Sequence, residues 1–247
     1  MRNGKSIVQS HFLIRLGLFV LISFLAMVLT IVPGLVYGFK SNMVISISIF
    51  VIGVGIYAAI ICFLYRFWQK HSQEYAIFKK EKRTLFSHQN VITFIIAFVI
   101  YLIYHVVVSH YFDKVDHVDQ SHLTWYMICI MFVFQVICAP LIEELITRGI
   151  FFSLFFREDA EWNLMISLHL PFMASTVRII VAAVISAFLS STLHGAVTNM
   201  AMYGLILNGF LCVWLYQKTK HIGMPILLHM INNLIVIIGM ILALIQK

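Results

Sequence analysis

Long apolar runs dominate this sequence. A hydrocarbon core about 30 Å thick needs roughly 20 consecutive apolar residues in a membrane-spanning α-helix. Runs of this kind recur along the chain, at 16–37, 43–65, 91–108, 125–142, 179–193, 199–216 and 224–245. We therefore expect an all-α, polytopic membrane protein with about seven transmembrane helices, within a range of six to eight.

Composition excludes a soluble globule and a fibrous repeat. The chain has 247 residues, 62% of them apolar and 11% charged, whereas a soluble domain has roughly 45–50% and 25%. Because no linker or repeat divides it, residues 1–247 are interpreted as a single integral membrane domain. Two further apolar pieces, 145–156 and 164–173, are too short to span a bilayer alone. We expect them to extend neighbouring helices, lie at the interface or re-enter the membrane.

The basic residues behind the formal charge of +7 are unevenly distributed along the chain. Residues 1–90 are predicted to hold two N-terminal helices and a basic cytoplasmic loop, 66–90, with six of the 17 basic residues: Arg66, Lys70, Lys79, Lys80, Lys82 and Arg83. Such clusters indicate the cytoplasmic side and are candidates for contact with anionic lipid. With Arg2, Lys5 and Arg15 also inside, we expect a cytoplasmic N-terminus. No aromatic-basic pattern supports nucleic-acid binding.

The loop 109–124 is predicted to lie outside. Its acidic and histidine side chains are candidates for a divalent-ion site, but a solvated acidic loop is the preferred interpretation; they are His110, Asp113, Asp116, His117, Asp119 and His122. The short loops and the lack of a soluble domain favour a bacterial plasma membrane.

Glu143 and Glu144 lie between the apolar runs 134–142 and 145–156, whereas the other eight acidic residues lie in loops. An ionisable group inside a bilayer costs on the order of 2.5–3.5 kcal/mol and is a functional candidate for that reason. Glu144 and Arg148 have i, i+4 spacing, so they can pair, while Glu143 points about 100° away. We expect Glu144 to be held ionised and Glu143 to be suited to general base catalysis. A buried pair that only joins two helices is the alternative.

Two histidines and an amide add further polar groups to apolar runs. His194 follows the run 179–193, and His229 lies near the start of the last span with Asn233 at i+4 on the same face. One membrane histidine is more often a packing residue. Two of them, with an amide and a carboxylate on separate helices, are harder to explain by packing.

The depth of His194 is a difficulty for a common site. A helix that begins near Arg178 would place His194 about 24 Å from the membrane entry by helix rise, too far from Glu143. We therefore expect residues 164–180 to enter the membrane, or the span before His194 to begin later.

Three segments resemble the motifs of a known family. They are PLIEELITRG (140–149), SSTLHG around His194 and HMINN from His229. In this order they resemble the CPBP family of intramembrane proteases, which joins the type II CAAX prenyl endopeptidases to bacterial Abi and bacteriocin-immunity proteins. The resemblance covers about 125–240, which we interpret as the catalytic core. The second motif departs from the family pattern, since Ser190 stands where an aromatic is usual and the nearest phenylalanine is Phe188.

The resemblance implies peptide-bond hydrolysis inside the membrane. It assigns water activation to Glu143 and an assisting role to His194. It makes His229 and Asn233 hydrogen-bond donors to the oxyanion. Such donors stabilise an oxyanion most strongly where water is scarce. Glu144 and Arg148 would hold the helix. The implied substrates are membrane-associated proteins or short peptides.

Two alternatives stay open. Glu143, His194 and His229 also form a His₂Glu set, one of the ligand sets of catalytic zinc, in which Glu144 could act as base only by leaving Arg148. We assign no cofactor, since the compact HExxH spacing is absent.

The chain could instead be a non-catalytic scaffold of the bacteriocin-immunity type, or a proton-coupled transporter, although the paired halves of a transporter are not found.

Overall fold

The computed structural model describes residues 12–72, 84–111, 124–155, 180–181, 183–189 and 201–246. These residues form helices and turns without a β-strand, as the all-α prediction requires. Seven long or medium helices are named here, and a shorter helical stretch covers 183–189: α1 (Phe12–Leu29), α2 (Ile31–Gly38), α3 (Met43–Ser72), α4 (His88–Tyr111), α5 (Trp125–Phe155), α6 (Ala201–Thr219) and α7 (Gly223–Ile245).

Five segments in the described part of the chain are long and apolar enough to cross a membrane. They are Leu13–Gly38, Met43–Lys70, His88–Val107, Trp125–Phe155 and Gly223–Ile245. This confirms a multi-pass membrane protein. The sixth predicted run, 199–216, falls on α6, which is not among the five, and the run 179–193 is described only in part. A total of seven spans therefore stays a prediction.

Helix α5 is longer than its predicted span of 125–142. The apolar piece 145–156 extends it, one of the three expected outcomes, giving a helix of 31 residues. Its backbone alternates between two hydrogen-bonding registers, α over Trp125–Met131, π over Phe132–Cys138, α over Ala139–Glu144, π over Leu145–Ile150 and α over Phe151–Phe155. Such π segments are rare and concentrate at functional sites. Glu143 and Glu144 lie at the end of the short α segment between them.

Helix α5 is also the central helix. In its most apolar window 44% of the residues are buried, against 17–28% in the other four candidate spans. Helices α1 and α3 pack against one side of it through Phe19, Tyr57 and Phe134, and α7 packs on the first π segment. Helix α6 lies against α4 and α7. The outer helices expose many apolar side chains, as expected for surfaces that face lipid.

Arg15 lies inside the fold. Its side chain is 4% exposed, and Nη1 donates to the carbonyl oxygen of Leu154 at 3.0 Å, one residue before α5 ends. The last carbonyls of a helix have no partner within the helix and carry partial negative charge, so a cation there stabilises the end. Arg15 thus attaches α1 to α5.

Several sequence predictions lie outside the described residues. They are the apolar piece 164–173, most of the acidic loop 109–124, and Lys79, Lys80, Lys82 and Arg83 of the basic loop. Arg66 and Lys70 lie in α3.

The helical stretch 183–189 lies level with the second π segment of α5. Ser186 Oγ donates to the carbonyl oxygen of Thr147 at 2.9 Å, and both residues are buried. This contact bears on the expected separation of His194 from Glu143. Ser186, eight residues before His194, already lies beside α5. The same stretch touches α6, where a Cβ built on Gly209 would lie 2.7 Å from Ala187 Cα.

Gly209→Ala is therefore expected to destabilise the protein. The added methyl group would meet backbone at 2.7 Å and Arg148 Nη2 at 3.3 Å, and overpacking of this kind costs typically about 1–3 kcal/mol. The measurement is the thermal unfolding midpoint in detergent. Gly55→Ala is the control, since a Cβ there meets nothing within 4 Å. An unchanged midpoint for Gly209→Ala would contradict the tight packing.

Candidate active site

The structure brings four of the six predicted site residues into one cluster. Glu143, Glu144 and Arg148 come from α5, and His229 comes from the second turn of α7 across from them. Asn233 lies one turn further along α7. His194 lies outside the described residues, as does Ser190 in its motif.

Glu144 forms the centre of the cluster. Its Oε1 accepts from Arg148 Nη1 at 3.1 Å and from His229 Nδ1 at 2.9 Å, and all three side chains are buried. The pair predicted between Glu144 and Arg148 is therefore present. Arg148 Nη2 also donates to the carbonyl oxygen of Gly209 at 3.1 Å, which joins α6 to the cluster. A buried charge is tolerated where it is paired and hydrogen-bonded in this way.

His229 lies between the two carboxylates. Its Nδ1 contacts Glu144, and its Nε2 lies 3.8 Å from Oε2 of Glu143. An ionised carboxylate only accepts hydrogen bonds, so Nδ1 carries the proton in the contact with Glu144. This fixes the orientation of the ring and directs Nε2 towards Glu143.

Glu143 differs from Glu144 in its surroundings. Its side chain is 16% exposed, whereas that of Glu144 is fully buried. Glu143 lines a small open cleft with a cavity volume of about 30 Å³, whose other lining residues come from α1, the junction of α1 and α2, α3 and α5: Ala26, Met27, Thr30, Tyr57, Ala139, Ile142 and Ile146. Of the two glutamates, Glu143 is therefore the more accessible.

Asn233 makes a contact that sequence reasoning did not predict. Its Nδ2 donates to the backbone carbonyl oxygen of Gln135 on α5 at 2.8 Å. A side-chain amide has two N–H groups, so this bond occupies one of them. Asn233 and His229 therefore both connect α7 to α5, at two different levels.

Thr147 and Tyr57 are site residues that the sequence analysis missed. Thr147 Oγ1 accepts from Arg148 Nη1 at 2.6 Å and donates to the carbonyl oxygen of Glu143 at 2.6 Å. Its position four residues after Glu143 is the available signal, because threonine often bonds the i−4 carbonyl in membrane helices. Tyr57 comes from the N-terminal part of the chain, where no motif marks it.

Part of the possible zinc set can be examined. In the part of the chain described, no group of three or more His, Cys, Asp and Glu side chains could hold a metal ion, but His194 is outside that part. Glu143 and His229 are adjacent, and the contact of Nδ1 with Glu144 resembles the carboxylate that orients a metal-bound histidine. Glu144 stays with Arg148, so it does not meet the condition for acting as a base.

Comparison with known proteins supports the motifs. The model of the family described as type II CAAX prenyl endopeptidase Rce1-like matches residues 124–235. No curated protein and no solved structure matches the chain. The family match starts at the residue that caps α5 and ends inside α7, so it contains Glu143, His229 and the chain between them. Residues 124–235 of this multi-pass membrane protein are therefore similar to the Rce1-like family of type II CAAX prenyl endopeptidases, in agreement with the three motifs.

Proposed function

We propose that this protein is an intramembrane endopeptidase that hydrolyses peptide bonds in membrane-associated proteins or short peptides. The observation that carries the proposal is the environment of Glu143. It borders a cleft among apolar helices and lies beside His229, which a buried carboxylate orients. General base catalysis requires this combination of access and fixed geometry. The family match at residues 124–235 supports the same reaction class.

In the proposed mechanism Glu143 takes a proton from a water molecule in the cleft. The resulting hydroxide forms a bond to the carbonyl carbon of the substrate, and the C=O π electrons move to oxygen. Glu143 then gives its proton to the leaving amine as the C–N bond breaks and the oxyanion returns to a carbonyl. A carboxylic acid and an amine are the products, and the water is the only co-reactant.

The other site residues have supporting roles in this proposal. Asn233 and His229 stabilise the oxyanion by donating hydrogen bonds. His229 does so from Nε2 in the form that has both nitrogens protonated. His194 assists by positioning the water or moving protons. Glu144 and Arg148 hold α5 and the ring of His229 in place, a role that their buried contact supports.

The substrate is expected to be apolar around the cleaved bond. Apart from Thr30, Tyr57 and Glu143, the lining of the cleft is aliphatic, alanine or methionine. This supports either a prenylated protein terminus of the CAAX type or a short membrane-active peptide.

We further infer a bacterial plasma membrane with a cytoplasmic N-terminus. The basic residues of the loop 66–90 support this orientation and contact with anionic lipid.

Zinc is the alternative to direct water activation. If bound, it would be held by Glu143, His194 and His229 and would supply an activated water. We favour the metal-free reaction because the remaining carboxylate of the cluster, Glu144, is held by both Arg148 and His229.

Glu143→Gln is expected to lower the cleavage rate by about 10²–10⁴-fold, the usual contribution of a general base. Detergent-purified protein is offered lipidated and unlipidated peptides, and products are measured by mass spectrometry. Glu81→Gln, the same change within the basic loop, is the matched control and should retain the rate. If folded wild-type protein cleaves no peptide, the scaffold alternative gains support; if Glu143→Gln cleaves normally, the assignment of the base is wrong.

A zinc chelator is expected to leave the wild-type cleavage rate unchanged. In the proposed mechanism a carboxylate activates the water, so no metal has to be removed or restored. The rate is measured after dialysis against the chelator and again after zinc is added back. Loss of cleavage that zinc restores would support the zinc alternative instead.

Arg148→Met is expected to destabilise the protein by about 3–5 kcal/mol, because it leaves the buried Glu144 without its cation. The double variant Glu144→Gln/Arg148→Met should lose less, since neither charge remains. The unfolding free energies of both single variants and the double variant form a double-mutant cycle. Simple additivity in this cycle would contradict the proposed coupling.

A further inference from the structure

One backbone carbonyl of α5 has lost both of its normal helix donors. In an α-helix the amide of Ala139 would donate to Gln135 O, but here it donates to Phe134 O, as the π register requires. In the π register the amide of residue 140 would donate to Gln135 O. Residue 140 is a proline, which has no N–H. Gln135 O is therefore left without a donor from its own helix.

The replacement donor comes from α7. Nδ2 of Asn233 lies 2.8 Å from Gln135 O, and 98 residues separate the two in sequence. In an apolar membrane an unsatisfied carbonyl costs several kcal/mol, and water is not available to take the bond. The side chain of Asn233 thus satisfies a need that the π segment and Pro140 create together.

A second proline leaves another helix carbonyl without its amide donor. Pro33 in α2 has no amide to donate to Leu29 O, the carbonyl four residues before it. The hydroxyl of Tyr57 on α3 donates to Leu29 O at 3.0 Å. The ring of Tyr57 also packs on Phe134 in the π segment, with centroids 5.1 Å apart. Two carbonyls freed by proline are therefore each satisfied by a side chain from a different helix.

We propose that Asn233 is a positioning residue: its bond to Gln135 O holds the turn of α5 that carries Glu143 in register with α7. Glu143 lies three residues after Pro140, in the short α segment that follows the π segment. Since His229 contacts both glutamates, α7 fixes this part of α5 at two points. The importance of the positioning for catalysis rests on the proposed function, whereas the bond itself does not.

The test restores the missing helix donor and asks whether Asn233 is still needed. Pro140→Ala supplies an amide that can donate to Gln135 O. Asn233→Ala is therefore expected to lower the thermal unfolding midpoint by about 2–4 °C in the wild-type background and by less than half as much in the Pro140→Ala background. Hydrogen exchange of the peptide 132–144 should rise in Asn233→Ala and fall again in the double variant. Both measurements are made on the full chain in detergent and need no substrate.

Asn232→Ala is the matched control. It removes the neighbouring amide on α7, and its effect should be the same in both backgrounds. An equal loss from Asn233→Ala with and without Pro140, or no loss at all, would overturn the proposal. An oxyanion role alone would lower the cleavage rate without this coupling. Absence of peptide cleavage would count against the proposed function and leave the coupling as expected.

Discussion

The arrangement around α5 depends on keeping one carboxylate charged in an apolar interior. Glu144 is fully buried, and it is tolerated because Arg148 and His229 both bind its Oε1. Each of these partners is held by a further helix, since Arg148 also binds the carbonyl of Gly209 on α6 and His229 belongs to α7. Satisfying one charge thereby specifies how three helices meet. Glu143, the residue before Glu144 on α5, is placed beside the same junction. Its side chain is 16% exposed, whereas that of Glu144 is fully buried.

A second constraint acts on the backbone. Within lipid every N–H and C=O group needs a partner from the protein, so an irregular helix must be completed from outside itself. Pro33 and Pro140 each remove a donor, and Tyr57 and Asn233 supply the substitutes. The irregular turns of α5 are therefore held by specific side chains.

Sequence reasoning reached the membrane class and the pair of Glu144 with Arg148, because both follow from local spacing and hydropathy. The order of the three motifs also predicted the family whose model matches residues 124–235. Sequence reasoning ended the span at residue 142, just before the two glutamates, whereas the structure continues through them in α and π registers. The role of Tyr57 was out of reach, because a contact between distant helices leaves no periodic signal. Asn233 was assigned from its motif, and its backbone partner depends on a π register that hydropathy does not report.

The residues that line the cleft beside Glu143 come from two separate parts of the chain. One wall comes from α5, inside the recognised domain, but Ala26, Met27, Thr30 and Tyr57 precede it by more than sixty residues. Substitutions in those first helices can change the width and polarity of the entrance while every motif residue stays the same. Relatives that share all three motifs can therefore differ in which molecules enter the cleft, and this selectivity can change while the motifs stay the same.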